Sequence, residues 1–208
     1  MRAARSGRCI VFVAILAIAG CGESDAVRVQ DEQAPTKPIV PPIPAEQKKF
    51  RTLAAMVPAD GKETGPSWWF FKVSGPAATI VKYEMDFNKL VDTISASANE
   101  HNPITWELPK GWTRQDAPPG GMRFATLKSP GDEVELSVTR FGGAVLANAQ
   151  RWWGELWGKD KAQELTVAMM SEYVQQRTVK GRLILTVDMS GPNEPPKRPM
   201  MMNPHGGQ

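Results

Sequence analysis

The chain is poor in the two residues that carry much of covalent and metal chemistry. Among its 208 residues are two cysteines, Cys9 and Cys21, and two histidines, His101 and His205. Both cysteines fall in the first 21 positions, so residues 22–208 form no disulfide and depend on an apolar core. A folded part of roughly 150 residues can supply one. The longest apolar run, Ile10 to Ile18, is too short to cross a bilayer as a helix. An excess of one charge is missing too. Removing Arg2, Arg5 and Arg8 from the 25 basic residues leaves 22, equal to the 22 acidic ones. The rest is near neutral, which argues against a nucleic-acid footprint. Gly120-Gly121 and Gly142-Gly143 have neither P-loop nor dinucleotide spacing and read as turns.

What is present starts at the N-terminus. Arg2, Arg5 and Arg8 form a basic flank without an acid, and the apolar stretch to Ile18 follows. The small residues Ala19 and Gly20 then precede Cys21. This order resembles the lipobox of bacterial lipoproteins. The resemblance implies a signal peptide over residues 1–20 and a mature chain that begins at a lipidated Cys21. The expected prosthetic group is therefore a covalent lipid and no other cofactor, with the membrane as one partner. Acyl chains contribute about 0.8 kcal/mol per buried CH2, so a multiply acylated terminus is a stable anchor. Gly22, where an aspartate would favour the inner membrane, implies the outer membrane, facing the periplasm or the surface.

Residues 21–52 read as a disordered tether. Pro35, Pro38, Pro41, Pro42 and Pro44 favour extended polyproline II, at about 3.1 Å per residue. Residues 53–190 read as one domain, and residues 191–208 as a disordered tail.

Within the domain, Ser67 to Val73 is a strand with Trp69, Phe71 and Val73 on one face and Trp68 and Phe70 on the other. Apolar on both sides, it belongs inside a sheet covered by helices. Gly75-Pro76 opens a helix whose residues Ile80, Tyr83, Phe87, Leu90, Val91 and Ile94 form one apolar face. Pro and Gly between Trp106 and Trp112 predict two short extended pieces around a turn. Met122 to Lys128 and the alternating Val134, Leu136 and Val138 predict a hairpin. A second helix spans Ala144 to Trp157, burying Val145, Ala149, Trp152, Trp153 and Leu156, and a short helix lies within Lys161 to Met170. Strands over Glu172–Val179 and Arg182–Met189 close the domain, with Lys180-Gly181 between them and Leu183, Leu185 and Val187 inward. Helices around a mainly antiparallel, hairpin-built sheet define the α+β class.

Several segments resemble those of a group of uncharacterised bacterial lipoproteins. They are the Trp69-Phe70-Phe71-Lys72 strand, Pro109-Lys110-Gly111-Trp112, Gly121-Met122-Arg123-Phe124-Ala125-Thr126, and the Asn148 to Leu156 helix with its Arg151-Trp152 pair. The layout is also distantly similar to the PsbP-like α/β/α sandwich, whose members mostly bind or help assemble other proteins. Neither likeness carries an activity.

Chemistry is sparse. A Ser–His–acid set would need His101 to meet Ser95 or Ser97 and Glu100, yet no nucleophile elbow surrounds them, and His101 reads as a solvated loop residue. Glu133 and Glu135 share the wet face of a strand and read as solvated carboxylates. Met200, Met201, Met202 and His205 offer soft donors suited to Cu(I), in a flexible tail without preorganisation. All seven tryptophans lie between Trp68 and Trp157. Most are expected in the core. Trp68 and Trp157, at the margins of apolar faces, are expected to be partly exposed and to form a binding surface with Arg151. The leading expectation is thus a lipid-anchored, non-enzymatic module that binds an envelope protein or polymer. The alternatives are an envelope hydrolase with an unrecognised site and a copper-handling lipoprotein that uses the tail.

Overall fold

The structure, a computed structural model, describes residues 42–59, 67–96 and 103–196. Cys21 and the expected signal, most of the expected tether, His101 and the residues of the expected Met/His tail lie outside them.

After one 3-10 turn at Ala45–Gln47, the elements run β1 (Phe50–Pro58), β2 (Ser67–Pro76), α1 (Ala77–Thr93), β3 (Ser95–Ala96), β4 (Ile104–Thr105), β5 (Thr113–Asp116) and β6 (Arg123–Lys128). A 3-10 turn at Pro130–Asp132 leads into β7 (Glu135–Gly142) and α2 (Val145–Trp157). A 3-10 segment at Lys159–Glu164, α3 (Val167–Tyr173), β8 (Val174–Val179) and β9 (Arg182–Gly191) complete the order. The main sheet has seven strands in the order β5-β6-β7-β2-β1-β9-β8. Every neighbouring pair is antiparallel. The class is α+β.

β2 explains the layering. Its alternation sends Trp69, Phe71 and Val73 into a cluster with Ile80, Phe87, Leu90 and Val91 of α1. Trp68 and Phe70 enter a second cluster with Ala149, Trp152, Trp153 and Leu156 of α2. A sheet apolar on both faces needs a helical cover on each, and α1 and α2 provide it. Burial of each such aromatic ring contributes about 1.5–3 kcal/mol.

β1 is an interior strand that the sequence reading missed. The proline-rich stretch was expected to run to residue 52, but β1 begins at Phe50 and pairs with β2 on one side and β9 on the other. Thr52 to Val57 are all buried. Such a run, with no polar alternation, has no period of two to betray a strand. Arg51 in this strand is bonded to Asp188 of β9 through both Nε (2.8 Å) and Nη2 (2.6 Å), and to Glu84 of α1 through Nη1 (2.7 Å). One guanidinium thus ties two strands to the first helix.

The C-terminal third differs in detail from expectation. The short helix within Lys161 to Met170 divides into the 3-10 segment and α3, with buried Leu165 between them. α3 also takes Glu172 and Tyr173, so β8 starts two residues later than expected. β9 buries Ile184 on the α1 side and Val187 and Met189 on the α2 side, while Leu183 is half-buried. The tail expected from residue 191 is partly built into the body. Gly191 is the last residue of β9, Asn193 N–H donates to Leu156 O at 3.0 Å, and Pro195 is buried. The Lys180-Gly181 turn appears as expected. Both residues have positive φ (49° and 75°), the two-residue geometry that suits the twist of a hairpin.

Candidate functional site

The sequence-chosen surface is largely interior. Trp68 is only 4% exposed, because β2 sits in the middle of the sheet with α2 over it. This corrects the expectation of an exposed ring. Trp157 is half-buried, stacks on Trp153 at 5.3 Å, and donates Nε1–H to Ser190 O at 3.1 Å. Arg151 lies over Phe141 at 4.7 Å and Trp152 at 5.8 Å. Trp157 and Arg151 therefore stand on different flanks of α2 and do not form one patch with Trp68.

Of the Ser–His–acid candidates, only Ser95 is among the described residues. Met200, Met201, Met202 and His205 are outside them as well. Glu133 and Glu135 are exposed and face Lys82 (3.3 Å) and Lys128 (3.6 Å) respectively, but only Glu135 is in β7, because Glu133 ends the preceding 3-10 turn, so the two do not share a strand face as expected. Among the described residues, no three His, Cys, Asp or Glu side chains come together as a metal set.

A cleft of about 250 Å3 opens where α3 gives way to β8, lined by Leu53, Phe87, Glu84, Glu172, Tyr173 and Asp188 among others. It falls below the roughly 300–1,000 Å3 of small-molecule sites. Arg51 already engages two of its carboxylates, Glu84 and Asp188. Those bonds, Asp188's first, hold the Arg51 guanidinium above its ordinary pKa against the opposing effect of burial. Burial chiefly, with Glu172 adding, raises the pKa of Tyr173.

A different feature gathers charge and aromatic surface. β6 carries an irregularity between Arg123 and Ala125, so Phe124 has no register partner on β7. Phe124 therefore joins the α1-side cluster together with its neighbour Ala125. A bulge re-aims a side chain in this way. The re-aimed ring meets Trp69 edge-on at 5.1 Å and Trp106 at 6.3 Å. Trp106 in turn meets Phe71 edge-on at 5.2 Å. Two guanidinium groups lie on these rings. Arg114 of β5 is 4.7 Å from the Trp106 centroid and 5.4 Å from that of Phe124. Arg140 of β7 is 5.6 Å from the Trp69 centroid.

The register fixes this arrangement. Arg140 is the direct partner of Trp69, and Arg114 of Leu127, which places both arginines on the α1 side. On the α2 side, Phe141 stacks on Phe70 at 4.2 Å beneath Arg151. A guanidinium attracted to the face of a ring keeps N–H donors for a carboxylate or phosphate. Asp116 already accepts from Arg114 Nε at 2.6 Å. Arg140 is exposed, and among the described residues no carboxylate pairs with it. The arginine-on-aromatic end of the sheet is the strongest candidate site. The sequence reading missed it because Arg114 and Arg140 are far apart in the chain. The one local signal, Arg123-Phe124-Ala125, resembles an ordinary strand.

Comparison of the chain with known protein families, with curated proteins and with solved structures gave no match.

Proposed function

We propose that this chain is a lipid-anchored protein of the cell envelope, acylated at Cys21, whose body is a non-enzymatic binding module for another protein or a surface polymer. The order of basic flank, apolar core, small residues and cysteine supports the anchor, and Gly22 supports the outer membrane. The proline-rich stretch supports a spacer between lipid and body. The covering of one antiparallel sheet by α1 on one face and α2 on the other supports a PsbP-like α/β/α sandwich, a fold used for binding and assembly.

The observation that carries the binding role is the exposed Arg140 on Trp69, beside Arg114 on Trp106 and Phe124. Met122, 57% exposed, adjoins this site because its carbonyl accepts from Arg140 N–H at 2.9 Å. A photo-crosslinking side chain at Met122 of the full chain in intact cells is expected to form a reproducible adduct. The same group at Val167, which is 72% exposed on α3, serves as control. Equal labelling from both positions refutes the site. Cys21→Ser is expected to move the protein from the membrane to the soluble fraction. Unchanged fractionation refutes the anchor.

A further inference from the structure

We infer that the arginine-on-aromatic end of the sheet takes an acidic polysaccharide, a polymer of sugar rings bearing carboxylates. The inference rests on the binding role proposed above and names the ligand class. Four arginines lie about this end of the sheet, and three of them, Arg114, Arg123 and Arg151, already have partners. Arg114 and Arg140 are on the α1 side, and Arg123 and Arg151 are on the α2 side, where Arg123 Nη1 donates to Thr126 Oγ1 at 3.0 Å. Arg114 already bonds Asp116, so the guanidinium open to a new carboxylate is that of the exposed Arg140, and a site spread over surface side chains, not sunk in a cavity, suits an extended chain better than a small molecule.

Aromatic surface decides between polymers. Trp106 and Phe124 are half-buried, with the Arg114 guanidinium against both rings. A sugar acid uses both groups at once, its C–H face on the ring and its carboxylate on the planar fork. An acidic protein partner would want apolar anchor points as well. The exposed large hydrophobic residues among those described are Val81, Met85, Leu108, Met122 and Val167. They are dispersed over α1, the segment before β5, the start of β6, and α3, and only Met122 is tied to Arg140.

The site also lies at the far end of β1 from Phe50. Arg140 stands beside Trp69, which pairs with Val57, seven positions along β1 from Phe50. At about 3.3 Å per residue, that is roughly 23 Å from the point where the proline-rich stretch joins the sheet.

The test uses the full chain in detergent and polygalacturonate as probe, with neutral dextran and poly-glutamate as comparisons. Polygalacturonate is expected to bind, and to bind about tenfold or more tighter than either comparison. Arg140→Gln and Arg114→Gln are each expected to weaken it about tenfold, and Arg140→Lys to restore only part, because lysine keeps the charge without the planar stack. An unchanged urea midpoint for Arg140→Gln separates lost binding from lost fold. Failure to bind polygalacturonate, equal binding of dextran or poly-glutamate, or full binding by both Gln variants overturns the inference. A Met122 adduct that proves to be protein leaves the binding role standing and removes the glycan. A Met122 label no stronger than that at Val167 removes both.

Discussion

Lys72 and Glu155 allow a sharp test of how this body is held together. Lys72 lies on the α2 side of β2, in register with Ala54, and its ammonium pairs with the Glu155 carboxylate of α2. The side chains are 19% and 9% exposed, and Lys72 Nζ also stands 5.7 Å from the Trp152 centroid. Were this a surface pair, removing one partner would cost about 0–1 kcal/mol. Burial raises the expected loss. Lys72→Met leaves a carboxylate under α2 with its cation gone, which costs about 3–5 kcal/mol. With a urea slope of about 2 kcal/mol per M, the unfolding midpoint falls by roughly 1.5–2.5 M. Replacing both, as Lys72→Met with Glu155→Leu, removes the two charges together and is expected to return most of that loss, because a packed apolar pair avoids desolvation. The assay is a double-mutant cycle by urea denaturation followed by tryptophan fluorescence. Single variants that each lose less than about 1 kcal/mol would refute the buried-pair reasoning. A double variant as unstable as the worse single would show that packing geometry, not charge, dominates at this spot.

Two further outcomes follow from particular contacts. A Cβ added at Gly191 would lie 2.7 Å from Leu156 O and 3.0 Å from Trp157 Nε1, so Gly191→Ala is expected to destabilise the body by about 1–3 kcal/mol, read as a lower thermal midpoint. An unchanged midpoint would mean that the β9–α2 junction yields freely. Tyr173 has its folded pKa raised, first by burial and then by Glu172, above an ordinary value of about 10. In the window just above pH 10 the unfolded chain has lost that proton and the folded chain has kept it, so stability falls as pH rises. The stability difference between the native chain and Tyr173→Phe should be constant below about pH 10 and shrink above it. A constant difference throughout would refute the shift.

Legibility varied along the chain for physical reasons. β2 was readable because its rings alternate, and the clusters place Trp69, Phe71 and Val73 apart from Trp68 and Phe70 as that alternation required. α1 was readable from its three- and four-residue spacing, which puts Ile80, Phe87, Leu90 and Val91 in the core. The hairpin of β6 and β7 was readable from its turn and its period of two. β1 was not. It lies between two strands and beneath two helical layers, so nearly every side chain is buried and no rhythm survives. The candidate site was hidden more deeply. Trp68 looked like the margin of an apolar face, and only its place in the strand order shows it to be interior.

Local pattern was enough to define a cysteine-free α+β body behind a proline-rich stretch, since periodicity and composition act on neighbouring residues. Which arginine would lie on which ring was a matter for the fold. Arg114, Arg140, Trp69, Trp106 and Phe124 come from four separate strands and a connecting segment, and meet only because antiparallel register and one irregularity in β6 turn them to the same face. Contacts between residues distant in the chain are set by strand order and register, which no short window of sequence contains.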